Sequence, residues 1–443
     1  MKDEEAREKS KEFKEFRRND MNLLKKMMIL SAIAVTTLFA QAATETVNGI
    51  EWTYEVVDGE AIVVYIPSST SGEIEIPSTL GNYPVTTIRE CAFYECRFIT
   101  SVTLPNTVTN IGEYAFCNCR LLESVVIPSS IVNFGKDAFY GCKPKNLTVP
   151  GRKCGIDFSS VTNLVISDGT EVIEDYAFAW CSSLVNVTIS DSVTIIGNKA
   201  FRGCGNLTSV TIGCNVTRIG DSAFYNCKDL LSVKIPDSVT SIEHSVFYDC
   251  RSLSSVKIGN NVTNIGGSAF YHCNNSLYDR TTIPHVKLVD GWVIEDEASL
   301  SGDLNLTGIR GIGDCAFFWS DNLMSVTIPD GVKRIGKRAF YECSSLTSMV
   351  IPNSVTSIGD EAFYGCKLKN VTVPGWKCGI DFSSVTNLVI SDGTTSIRQS
   401  AFYNCSTLVR VRIPNSVTSI GSDAFNRCND LLYDRTTDRK SVV

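Results

Sequence analysis

Cysteine is the residue type in this sequence best placed to do chemistry, and twelve of its 18 copies share one address. Cys96, Cys119, Cys142, Cys181, Cys204, Cys227, Cys250, Cys273, Cys343, Cys366, Cys405 and Cys428 each stand three residues after a phenylalanine, and Ser320 takes that place once. Thiols at a fixed period can cross-link, hold a metal or pack as small apolar groups. The paired C-x-x-C spacing of zinc sites is missing, and Cys117-Asn-Cys119 stands alone. If successive units stack, the twelve form a column at about 5 Å intervals, which a disulfide can span. A column of buried thiols is the favoured reading, with scattered inter-unit disulfides the competing one. Cys154 and Cys378 lie outside the column and are expected to be more exposed.

Other catalytic signals are absent from the sequence. His244, His272 and His285 are scattered, and there is no G-x-S-x-G, Walker loop or H-E-x-x-H. The reading is therefore no enzyme, no cofactor and no metal site. With 41 Lys and Arg against 48 Asp and Glu, the net charge of −7 argues against nucleic acid as a partner.

The elements that position these cysteines come from an internal repeat. Phenylalanine recurs at 93, 116, 139, 178, 201, 224, 247, 270, 317, 340, 363, 402 and 425, preceded by Ala or once by Val. Nine of the twelve gaps are 23 residues, two are 39 and one is 47; a gap of 39 reads as one unit plus a short one of 16. In the unit Leu230 to Cys250, Val233 and Ile235 alternate with Ser232 and Lys234, the period of a short strand buried on one face. Pro236 ends that strand. Val239 and Ile242 turn back inward, the Gly of the usual Ile-Gly pair permits a bend, and Ala-Phe enters the core from a tight helical turn. No such unit buries its own apolar face, so neighbours must stack. Lys145 to Thr170 returns almost unchanged at Lys369 to Thr394, so one half of the array copies the other.

The unit I-P-x-S-V-x-x-I-G-x-x-A-F-x-x-C, seen verbatim at Ile351 to Cys366, resembles the BspA-like leucine-rich repeats of bacterial and protozoan surface proteins. The resemblance runs from about Ile88 to Cys428. It implies an α/β-type leucine-rich-repeat solenoid, a right-handed coil with a continuous parallel β-sheet on one face and turns or short helical turns on the other. It also implies secretion or surface display, and binding of host or matrix proteins in adhesion.

The remaining segments complete the plan. Residues 1–20 form a charged extension that reads as a mis-assigned start. Residues 21–43 have the lysines, apolar run and Ala40-Gln41-Ala42 site of a secretory signal peptide cleaved near Ala42. Residues 44–87 read as an N-terminal β-hairpin cap around Asp58-Gly59, containing Trp52 and Tyr54. The array then occupies 88–273 and 311–428, with 274–310 as irregular coils continuing the stack. Residues 429–443 read as a truncated tail.

The expected function is a secreted or cell-surface, non-enzymatic scaffold for a protein or glycan ligand, with a structural spacer array as the alternative. No membrane contact is expected beyond the signal peptide. Most strand residues facing solvent are short hydroxyls, but Lys234 and Lys257 should lie side by side. Tyr follows the repeat Phe in eight units, and Tyr225, Tyr248 and Tyr271 are consecutive. These five residues are the candidate partner-binding set, with inter-coil packing the favoured role for the tyrosines and a binding stripe the competing one.

Overall fold

A computed structural model of the chain describes residues 42–152, 154–376 and 378–429. The segment read as a charged extension, all but the last two residues of the segment read as a signal peptide, and the tail beyond Asn429 lie outside these residues. The chain divides into two units, one of residues up to 123 with 130–142, the other of 124–129 with 143 onward. Both are parallel-strand β-solenoids.

The smaller unit begins with antiparallel strands. Ala43–Val47, Ile50–Val57 and Glu60–Tyr65 form a meander. Its turns, Asn48-Gly49 and Asp58-Gly59, have positive φ at both residues, which matches the twist of a two-residue hairpin. The first of these turns was not read from the sequence. Glu60–Tyr65 then pairs in parallel with Tyr83–Ile88, which pairs with Asn110–Ile111, where coil-on-coil stacking takes over. Trp52 is fully buried and meets Phe93 edge-on at 6.1 Å.

The larger unit stacks one strand per coil. Asn186 pairs with Ser209, and Ser232 with Ser255, each a 23-residue step. The short coil is seventeen residues rather than sixteen, since Asn146 pairs with Asn163 and Asn370 with Asn387. There a 3-10 turn, Phe158–Ser160 or Phe382–Ser384, replaces the usual turn. Opposite the long strands runs a second parallel ladder of two-residue strands such as Arg218–Ile219, Ser241–Ile242 and Asn264–Ile265.

Two expectations are corrected here. The α/β label does not hold, because the described residues contain no α-helix and only three-residue 3-10 turns. The Ala-Phe segment is not helical, since residues two before and two after each repeat Phe adopt left-handed φ, as Ser222 and Asn226 do around Phe224. A left-handed residue every four positions stops a right-handed helix from propagating. The N–H groups of Ser222, Phe224 and Asn226 instead donate to His244, Val246 and Tyr248 of the next coil, at 2.8–3.0 Å. Those between them, on Ala223, Tyr225 and Cys227, bond three residues back. Every N–H in the turn is satisfied without a helix.

The expected continuous sheet is also interrupted. One long sheet ends at Ser255–Lys257 and another begins at Gly302–Asn305. Between them Val286–Val289 and Trp292–Asp296 form an antiparallel hairpin, whose second strand pairs in parallel with Gly311–Ile312. The glycine of the Ile-Gly pair serves close approach rather than an unusual bend. A Cβ on Gly197 would lie 2.6 Å from the Ile173 carbonyl oxygen and 2.7 Å from the Asp175 nitrogen.

Candidate functional site

The buried column is a stack of phenylalanines walled by thiols. Phe178, Phe201, Phe224, Phe247 and Phe270 are fully buried, and their rings repeat at 5.3–5.5 Å. In nine of the twelve repeats the cysteine Sγ lies 3.0–3.3 Å from the carbonyl oxygen of the Phe one coil earlier. Cys250, for example, donates to Phe224, whose oxygen also accepts the Cys227 N–H. Cysteine thus fills a small buried slot and supplies a weak donor. Burial pushes the Cys273 thiol up to about 12.

Cys154 and Cys378 are buried, against the expectation of exposure. The short coil closes over them, Cys378 donating to the Trp376 carbonyl oxygen at 3.2 Å, and burial pushes both thiols up to about 12. No group of three or more His, Cys, Asp or Glu among the described residues is arranged to hold a metal.

These environments predict reactivity. Cys214 and Cys315 are exposed, three further cysteines are half-buried and thirteen are buried. Iodoacetamide on the native protein should label Cys214 and Cys315 first, and the fully buried members of the column only after denaturation. Peptide mass mapping reads this, and native labelling of Cys227 at the rate of Cys214 would overturn it.

On the outside of the same turns the aromatic column is brought together. Tyr225 and Tyr248 stack at 4.9 Å with planes 1° apart, and Tyr248 and Tyr271 at 5.4 Å. The ladder is longer than its three sequence-marked residues. The Arg202 guanidinium lies 4.7 Å from the Tyr225 ring centre and 5.7 Å from that of Trp180, which is 62% exposed. His272 joins at the other end, 4.2 Å from Tyr271. The repeat alignment offered a signal for Arg202, which takes the position Tyr fills in neighbouring units. A second ladder runs Phe318, Tyr341, Tyr364 at 5.0–5.1 Å.

The two lysines occupy the long strand, a different part of the coil. Lys234 and Lys257 are register partners. Lys257 is 3.0 Å from Asp290 of the interrupting hairpin, so part of the expected basic spot is neutralised.

These features coincide with a known repeat. Residues 86–158, 151–276 and 310–431 match the BspA type leucine rich repeat region in six copies. The chain belongs to the BspA-type leucine-rich repeat family. Among solved structures, this BspA-type chain is similar to a leucine-rich repeat protein from Bacteroides ovatus, with 23% identity and a TM-score of 0.35 over 87% of this chain and 92% of that one. It is also similar to a leucine rich cell surface protein from Faecalibacterium prausnitzii, with 28% identity and a TM-score of 0.28 over 88% and 93% of the two chains. Comparison with curated protein sequences gave no match. Among the described residues of this BspA-type protein, no helix is long and apolar enough to cross a membrane.

Proposed function

We propose that this chain is a secreted or surface-displayed, non-enzymatic repeat scaffold that binds a protein or glycan in adhesion. The observation that carries the reading is the ladder Trp180, Arg202, Tyr225, Tyr248, Tyr271. Backbone bonds on both sides of every turn hold these side chains at fixed spacing, so their ordering is largely complete before a partner arrives. Aromatic and Arg side chains are also those that anchor interfaces. Lys234 has no ion-pair partner among the described residues and supplies the free charge on the strand face, where Lys257 is already paired.

The cell-surface description of the Faecalibacterium prausnitzii protein and the apolar run ahead of Ala42 support export. N-terminal sequencing of the exported chain tests that part; a mature end far from Ala42 to Thr44 overturns it.

Binding is tested with the full chain on a panel of immobilised matrix proteins and glycans. Saturable binding should fall at least about tenfold in Tyr248→Ala, the loss of roughly 1.4 kcal/mol expected for an aromatic anchor. Lys234→Ala should weaken binding more than Lys257→Ala. Binding unchanged in Tyr248→Ala, or no saturable binding to any panel member, leaves a spacer array as the better account.

A further inference from the structure

The two ladders end at Tyr271 and Phe318, and both rings line one cleft of about 420 Å³ within the larger unit. The cleft exists because the array skips a turn. Phe270 and Phe317 are 47 residues apart, and residues 274–310 contain no Ala-Phe segment to place another ring between the ladders. What they contribute instead is the strand Trp292–Asp296, whose last two residues, Glu295 and Asp296, join the lining with Asp314 and Arg338.

Two of these charges are matched. Glu295 pairs with Lys287 at 2.8 Å, and Arg338 with Glu361 at 2.6 Å. Asp296 and Asp314 have no ion-pair partner among the described residues. Asp296 accepts a 2.7 Å hydrogen bond from Ser320, the residue that stands where twelve other units carry Cys. Asp314 caps the Lys337 N–H at 2.7 Å with one oxygen. Burial pushes both carboxyls upward. The cleft therefore joins two half-buried carboxylates that make no direct ion pair among the described residues to two aromatic walls.

The protein shows what its aromatic column accepts. A guanidinium already lies over Tyr225 (Arg202, 4.7 Å), over Tyr341 (Arg338, 5.5 Å) and over Tyr403 (Arg427, 5.6 Å). A guanidinium is planar, stacks on ring faces and offers forked donors to carboxylates; an ammonium is a compact charge with neither the plane nor the fork.

We propose that the cleft lined by Tyr271 and Phe318 binds a guanidinium group supplied from outside the chain, stacked on an aromatic wall and hydrogen-bonded to Asp296 and Asp314. The cleft shares Tyr271 with the end of the outer ladder but takes its carboxylates from elsewhere, and it stands whether or not that ladder engages a partner. The guanidinium could belong to a free arginine derivative or to an Arg side chain of a protein partner, two sources that carry the same chemistry.

The test is calorimetric titration of the full chain with three probes: N-acetyl-arginine amide, N-acetyl-lysine amide and an arginine-containing hexapeptide. Saturable one-site binding is expected for both arginine probes, at least about fivefold tighter than for the lysine amide. Asp296→Asn keeps an acceptor for Ser320, and it and Phe318→Ala should each weaken binding at least about tenfold. Tyr364→Ala, at the far end of the second ladder, should leave it unchanged. Urea unfolding of each variant separates loss of the site from loss of the fold. A hexapeptide binding tenfold tighter than the amide assigns the site to a protein partner, and equal affinities assign it to a free arginine derivative. Equal binding of arginine and lysine amides, no saturation by either arginine probe, or wild-type affinity in folded Asp296→Asn overturns the proposal.

Discussion

Replacing Phe224 with alanine is expected to destabilise the larger unit by about 3–5 kcal/mol, read as a lowered urea midpoint by circular dichroism. Phe224 is fully buried between Phe201 and Phe247, at 5.3 and 5.5 Å with planes 5° apart on both sides. Its removal opens a cavity that the neighbours cannot close, because strand ladders on two faces and the turn ladder on the third fix the spacing between coils. A solenoid coil touches only the coils beside it, so the same change weakens coupling between the two flanking stretches. Unfolding should broaden or split into two steps rather than shift as one. Phe425→Ala provides the contrast: Phe425 is 7% exposed where Phe224 is fully buried, so its truncation should cost less. A loss below about 1.5 kcal/mol at Phe224, or equal losses at the two sites, would show that the ring stack is not what joins the coils.

How much of this was legible in the sequence depends on whether the cause is periodic. Val233, Ile235, Val239, Ile242 and Phe247 repeat every 23 residues and were readable as core from spacing alone; all five are buried. The stacked Tyr225, Tyr248 and Tyr271 follow from the same arithmetic. The turn conformation was not readable, because left-handed φ falls on Ser222, Asp249, Lys199 and Trp180 as readily as on Gly203, so no residue type marks it. There the inter-coil ladder, a long-range cause, overrides local preference at a cost of roughly 1–2 kcal/mol per left-handed residue. The burial of Cys154 and Cys378 escaped for a similar reason, since the short coil closes with a 3-10 turn that the 23-residue pattern does not contain. The cleft is legible only in reverse. The 47-residue gap and Ser320 were both visible as departures from the repeat, but what they leave open is set by how residues 274–310 fold.

That interruption must itself be attached to the regular coils, and one side chain does much of it. Arg310 donates from Nη1 to the Ile258 carbonyl oxygen at 3.0 Å and to the Asp290 carboxylate at 2.7 Å, and from Nη2 to the Gly259 carbonyl oxygen at 2.9 Å. Asp290 in turn accepts the Ile258 N–H at 2.8 Å. The strand face of the last coil before the interruption is thereby clamped to the turn of the hairpin, with both charges half-buried. Arg310→Ala removes the donors of two carbonyls and strips Asp290 of its better-buried counter-ion. We expect a loss of about 2–4 kcal/mol, because hydrogen bonds to charged groups and partly desolvated ions cost most when one partner is left behind. Lys257→Ala removes the other cation on Asp290, but that side chain is 70% exposed, and the expected cost is below about 0.5 kcal/mol. Asp290→Asn in the Arg310→Ala background should cost far less than the same change alone, since the carboxylate then has little left to lose. Additive effects in that cycle would mean that the interruption is held by its apolar contacts, with the ion pair incidental. Hydrogen exchange at residues 258–264 separates the cases, because loosening of the clamp should release those amides before the rest of the stack opens.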